Sequence, residues 1–188
     1  MEIILASKSA ARKHALETLG LQFKVAPSHL DEKQIRDPDP TVLAKKLSEA
    51  KAHEVAKQHP DALIIAGDLF VVMQGEIFEK PENHEEACAM LKKFSGKTHD
   101  ILSGIAVFNT NTQTMHTSVE KIEISFRELT DDEIQKYVEN YPVLECAGAY
   151  EHVGLLLFAN HISGSYNFRT GFAMNKLIEF LRKEGVNA

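Results

Sequence analysis

The sequence predicts an α/β fold built on a mixed sheet. Amphipathic helical stripes alternate along the chain with short runs of β-branched and aromatic residues. The first such pair is a strand, a tight polar turn and a helix within MEIILASKSAARKHALETLG. A third observation is the stretch IAVFNTNTQTMHTSVEKIEISF, two strand-like runs joined by a polar Asn/Thr loop, which implies antiparallel neighbours and so a sheet that is not purely parallel.

The elements follow in order. Ile3, Ile4 and Leu5 form a short buried strand, and the helix after it has Ser9 as N-cap, Ala15, Leu16 and Leu19 as its apolar stripe and Gly20 at its C-terminal stop. A strand over Phe23–Ala26 precedes a helix carrying Leu43, Leu47, Ala50 and Val55. LIIAG and LFVVM read as strand, and Ala87, Met90, Leu91 and Phe94 mark a helix closed by Gly96. ILSGIAVF and the alternating KIEISF are strands. Thr130 and Glu133 make a capping box for the helix of Ile134, Tyr137, Val138 and Tyr141, which Pro142 ends. LLLFA reads as a further strand, and Met174, Leu177, Ile178 and Leu181 as a last helix before Gly185.

At 188 residues and 44% hydrophobic content the chain can bury a core of its own. The net charge of −6 argues against a nucleic-acid polymer as partner, because such binding needs broad basic surface, whereas a small phosphorylated ligand needs only local cations. Cys88 and Cys146 are far apart and form no CxxC, and no signal peptide precedes them, so a reduced, cytoplasmic protein is expected. No apolar run is long enough to span a membrane.

Several charged residues stand where a structural reading would not put them. Arg12 and Lys13 occupy the first turn of the first helix, where the dipole disfavours cations by about 0.3–1 kcal/mol unless an anion compensates. The alternative is that both side chains bend into water. Asp68 interrupts LIIAGDLFVV, either as a metal ligand or general base on a rigid strand, with Gly67 allowing close backbone approach, or as a turn aspartate between two short strands. Lys51 lies on the apolar stripe between Leu47 and Val55, so either its ammonium is directed at something specific or it snorkels to solvent. Lys80 is held extended by Pro81, and Asp31 and Glu32 are adjacent carboxylates in a loop. Carboxylates for a hard divalent cation, cations for phosphate oxygens and a helix N-terminus are the parts of magnesium-assisted phosphoryl or nucleotidyl chemistry. FSGKTHD carries only the end of a P-loop, without its upstream glycine, and the nine His residues show no paired zinc spacing.

These residues resemble the Maf family of nucleoside triphosphate pyrophosphatases. The family's LASxSPRR opening and later DE pair are matched by LASKSAAR and LDE, its middle by EAKA, AGDLFVV, EKP and FSGKTH, and its last third by FRELTDDEIQKYV, CAGAY and HISGSYN. The resemblance covers nearly the whole chain in the same motif order. It implies one Maf-like domain over 1–188 with two lobes around a central cleft, built on an elongated twisted mixed sheet flanked by helices. It implies hydrolysis of the α,β phosphoanhydride of a nucleoside triphosphate to a nucleoside monophosphate and pyrophosphate, and a homodimer. By the same resemblance Ser7, Ser9, Arg12, Lys51 and Lys80 bind the triphosphate, Glu32 and Asp68 hold a divalent cation, Mg2+ or alternatively Mn2+, and Asp68 activates the attacking water.

The departures fall where the family sets substrate choice. Ala11 replaces the first Arg of SPRR, Leu69 replaces the Thr or Gln after the aspartate, and Val153 replaces the Gln or Glu after AGAY; all are small or apolar. Ala10 and the GFAM turn mark an outlying branch. This pattern points to non-canonical or modified nucleotides. The alternative function is a non-catalytic nucleotide-binding regulator of cell division or septum formation.

Overall fold

A computed structural model describes residues 1–165 and 171–187. The chain order is β1 (Glu2–Leu5), α1 (Ala10–Thr18), β2 (Lys24–Val25), α2 (Pro40–Ala56), β3 (Ala62–Met73), β4 (Glu76–Phe78), α3 (His84–Phe94), β5 (Thr98–Asn109), β6 (Thr114–Phe126), α4 (Asp131–Asn140), α5 (His152–Phe158), β7 (Ala159–Ser163) and α6 (Met174–Lys183). The seven strands form one mixed sheet in the order β2-β1-β3-β5-β6-β7, with β4 paired to β3. β1 is parallel to both β2 and β3, whereas β3–β4 and β6–β7 are antiparallel. β5 and β6 are neighbours joined through Thr110–Gln113, a connection too short for a parallel crossover.

The chain divides into two compact units. The first comprises Met1–Leu69, Ser103–Glu120 and Ser165–Ala188, the second Phe70–Leu102 and Lys121–Gly164.

In the first unit, strand alternation sorts the apolar residues onto two faces. Leu63 and Ile65 of β3 and Ile105 and Val107 of β5 pack with Leu16 of α1 and Leu177 and Leu181 of α6. Ile64 and Ala66 of β3 and Ala106 and Phe108 of β5 pack with Ala52 and Val55 of α2. The sheet is therefore covered on both sides, as a parallel segment requires. In the second unit, Phe94, His99, Phe126, Tyr150 and Phe158 form an aromatic cluster with ring centroids 4.4–6.2 Å apart.

The helix signals read from the sequence have physical counterparts. Ser9 accepts from the Arg12 amide, Gly20 takes a φ of 69°, and Thr130 and Glu133 form the reciprocal capping box. Three readings need correction. LIIAG and LFVVM are one uninterrupted strand, β3, so Asp68 is a strand residue and not a turn aspartate. LLLFA is not a strand: Leu155–Phe158 close α5, and only Ala159 begins β7. Ala52 and Phe180, in place of Ala50 and Ile178, complete the buried stripes of α2 and α6.

Candidate active site

The site grows from the C-terminal end of β1 and the middle of β3. Ser7 follows β1 and is buried, and its Oγ accepts from the Ser9 amide at 3.2 Å. Ser9 caps α1, so the polar turn and the helix N-terminus are locked to each other. The two first-turn cations then part ways. Lys13 stays exposed and pairs with Glu17 along the helix surface, which is the solvent-facing alternative. Arg12 turns inward: Nε donates to Gly171 O at 3.0 Å, and Nη1 donates to Gly67 O at 2.8 Å and Ser7 Oγ at 3.3 Å. Its guanidinium also lies 5.2 Å from the Phe172 ring centroid. Burial pulls the Arg12 pKa down from its ordinary value, while the charges of Asp68 and Glu32 oppose that shift. The guanidinium remains protonated.

Asp68 points to the α2 side of β3. Only 9% of the residue is exposed, yet among the described residues one oxygen has a partner and the other has none: Oδ1 accepts from Lys51 Nζ at 3.2 Å, while Oδ2 is buried without a hydrogen bond. The same Lys51 ammonium lies 3.1 Å from Glu32 Oε1. Lys51 reaches both because α2 places it one turn from the buried Leu47 and Val55, so its stem packs while its head faces the strand. Glu32 sits on a short 3-10 turn, Glu32–Gln34, capped by Asp31, and its side chain is about half exposed. The result is an alternating cluster of Arg12, Asp68, Lys51 and Glu32 with no net formal charge.

Two glycines make this geometry possible. A Cβ on Gly67 would lie 2.8 Å from Gly104 O and 2.8 Å from Phe172 Cε1, and a Cβ on Gly104 would lie 2.6 Å from Ala44 O and 2.7 Å from Ser48 Oγ. Neither space exists. β3, β5 and α2 thus approach more closely beside Asp68 than any side chain would allow.

A buried carboxylate oxygen without a partner is costly, and a hard divalent cation that takes oxygen ligands would satisfy it. Among the described residues no group of three His, Cys, Asp or Glu side chains could hold a metal unaided. Asp68 and Glu32 supply two carboxylates, which suits Mg2+, an ion that keeps waters and takes phosphate oxygens as its remaining ligands.

The structure thus brings Ser7, Ser9, Arg12, Glu32, Lys51 and Asp68 together. Ala11 is exposed on α1, and Leu69 follows Asp68, half-buried. Lys80 and Val153 belong to the second unit: Lys80 is exposed between β4 and Pro81, and Val153 is half-buried on α5. Tyr166 and Asn167 of the HISGSYN motif lie outside the described residues. The Gly67 and Gly171 carbonyls and the Phe172 ring as partners of Arg12 were not foreseen; the sequence signals for them are the Gly preceding Asp68 and the GFAM turn, whose first two residues are Gly171 and Phe172.

The Maf-like protein family profile matches residues 2–184. A 7-methyl-GTP pyrophosphatase from Idiomarina loihiensis is 37% identical over 191 residues, covering 100% of this chain and 96% of the relative. dTTP/UTP pyrophosphatases from Syntrophus aciditrophicus and Desulforamulus reducens are 35% and 37% identical, each covering 98% of this chain and 90% and 97% of their own lengths. With motifs, the fold of the described residues and relatives in agreement, the chain belongs to the Maf-like protein family.

Proposed function

We propose that this protein is a nucleoside triphosphate pyrophosphatase, releasing a nucleoside monophosphate and pyrophosphate. The observation that carries the reading is Asp68: a carboxylate fixed on a central strand, buried, with one oxygen shared by Lys51 and the other unpartnered. Such a group would accept a proton from a water attacking the α-phosphorus. Arg12, Lys51 and the capped N-terminus of α1 face the same region with positive charge, and Ser7 and Ser9 add hydroxyls. Lys80 of the second unit is assigned to the triphosphate on the resemblance alone. Asp68 and Glu32 would hold Mg2+, or Mn2+ in its place, whose charge would help neutralise the charge developing on the phosphate oxygens.

Substrate choice is proposed to fall on non-canonical or modified nucleotides, because Ala11, Leu69 and Val153 offer no polar group to match one particular base edge. The relatives named above divide between a methylated purine and ordinary pyrimidines. A homodimer and a cytoplasmic setting complete the proposal. Cys88 and Cys146 are free thiols, which suits a reducing compartment, and no helix among the described residues is long and apolar enough to cross a membrane.

The test is incubation of the purified protein with Mg2+ and a panel of ordinary and modified triphosphates, with pyrophosphate release as readout. Turnover of at least one supports the reading. Nucleotide binding without any turnover replaces it with the non-catalytic regulator.

A further inference from the structure

We infer that Lys51 occupies the place of a cation between Glu32 and Asp68, so that a divalent metal enters this site together with an anionic triphosphate and not before it. The inference rests on the metal-holding role proposed above for these two carboxylates. It deepens that role by assigning Lys51 a second task besides phosphate contact.

The geometry is that of a cation site already filled. Lys51 Nζ lies 3.2 Å from Asp68 Oδ1 and 3.1 Å from Glu32 Oε1, with only 11% of its side chain exposed. Two carboxylates sharing one ammonium, with the Arg12 guanidinium also drawn to both, leave the cluster without net formal charge. A divalent ion held by the same carboxylates would stand near an ammonium and a guanidinium in a site partly removed from water, where like charges repel more strongly than in bulk water. The backbone that carries Asp68 cannot move aside, because the close contacts around Gly67 and Gly104 fix its strand. Lys51 can: its four-carbon stem carries a compact charge on rotatable bonds. A triphosphate would give that ammonium a new partner, and Glu32 and Asp68, with its unpartnered Oδ2, would then be free to hold the metal. Metal and substrate should then strengthen each other's binding reciprocally, and without substrate the metal should meet a competitor built into the chain.

The experiment measures Mn2+ binding to the full-length protein by electron paramagnetic resonance, with no nucleotide present. Lys51→Met removes the competing charge while keeping an apolar stem of similar length, and its fold is checked by circular dichroism and thermal unfolding. The expected result is that Lys51→Met binds Mn2+ about tenfold more tightly than the wild type, within the usual range of coupling between sites. If Lys51→Met does not fold, Lys51→Gln serves in its place with the same expectation. A wild type that binds Mn2+ as tightly as the folded variant overturns the inference. The two proposals fail separately: a triphosphate panel without turnover removes the proposed function, whereas turnover combined with unchanged Mn2+ affinity in the variant removes only the role given to Lys51.

Discussion

Replacing Gly67 by alanine should damage both stability and catalysis, and the structure says by how much. The new methyl group would stand 2.8 Å from the Gly104 carbonyl oxygen and 2.8 Å from a ring carbon of Phe172. Ordinary carbon contacts begin near 3.5 Å, so roughly 0.7 Å must be found on two sides at once. Phe172 can tilt, although its ring stacks under the Arg12 guanidinium. Gly104 O cannot tilt, because it is backbone of the adjacent strand, whose other side is pressed against Ala44 O and Ser48 Oγ. Overpacking of this kind costs about 1–3 kcal/mol, or a fall in Tm of roughly 2–4 °C per kcal/mol for a chain of this size. The displacement also moves the Gly67 carbonyl that holds Arg12 and the Asp68 carboxylate one residue on. A shift of several tenths of an ångström at a catalytic group predicts a kcat loss on the order of tenfold to a hundredfold. Differential scanning fluorimetry and a pyrophosphate-release assay on the same preparation read both effects. An alanine variant that melts with the wild type and turns over at its rate would refute the close-packing argument.

Three further outcomes follow from the same geometry. Asp68→Asn should remain folded and lose about 10²- to 10⁴-fold in turnover, as expected for a proton-transfer role, whereas Glu32→Gln should first raise the Mg2+ concentration needed for half-maximal rate; steady-state kinetics across a Mg2+ titration check both. Burial holds the His99 imidazole at a pKa of about 4, below its unfolded value of about 6.5. The native state therefore takes up the proton later than the unfolded chain, and stability is full above pH 6.5 and declines as pH falls toward 4. Urea unfolding at pH 7.5 and 5 should differ by about 2 kcal/mol, and His99→Phe should flatten that difference. If Ala11, Leu69 and Val153 take the specificity roles proposed for them, the lack of polar groups there should leave discrimination among bases weak, by about 10² or less, so kcat/KM across the ordinary triphosphates should vary modestly and Val153→Gln should widen the ratio; a wild-type preference of about 10⁴ for one pyrimidine, a size typical of hydrogen-bonding sites, would show that other residues read the base.

What could be read from the chain was what depends on local chemistry. Ser9 as a cap, the Thr130–Glu133 box and the position of Lys51 on an apolar stripe all follow from helical periodicity and side-chain reach. LLLFA was misread because a short apolar run has no period to distinguish helix from strand. Gly154 weakened the helical signal further, yet it is required there: a Cβ would lie 2.7 Å from the Tyr137 hydroxyl, the group that also accepts from the Glu151 amide at the start of α5. The anomaly of Asp68 is legible, and a strand position is one of the two alternatives the sequence offers; what decides between strand and turn is a partner from another element, which sequence order does not reveal. That partner, Lys51, lies 17 residues away on α2. The inward turn of Arg12 was equally hidden, because two of its acceptors are backbone carbonyls of residues 67 and 171, which carry no side-chain signature.

The central claim is that the Asp68 cluster serves cleavage at the α-phosphorus of a triphosphate. Phosphorus-31 NMR of the products formed in water enriched in oxygen-18 tests it most directly. Attack at that atom yields unlabelled pyrophosphate and a nucleoside monophosphate carrying the heavy oxygen, with neither product formed by Asp68→Asn. Nucleoside diphosphate and inorganic phosphate, or label in the pyrophosphate, would contradict it.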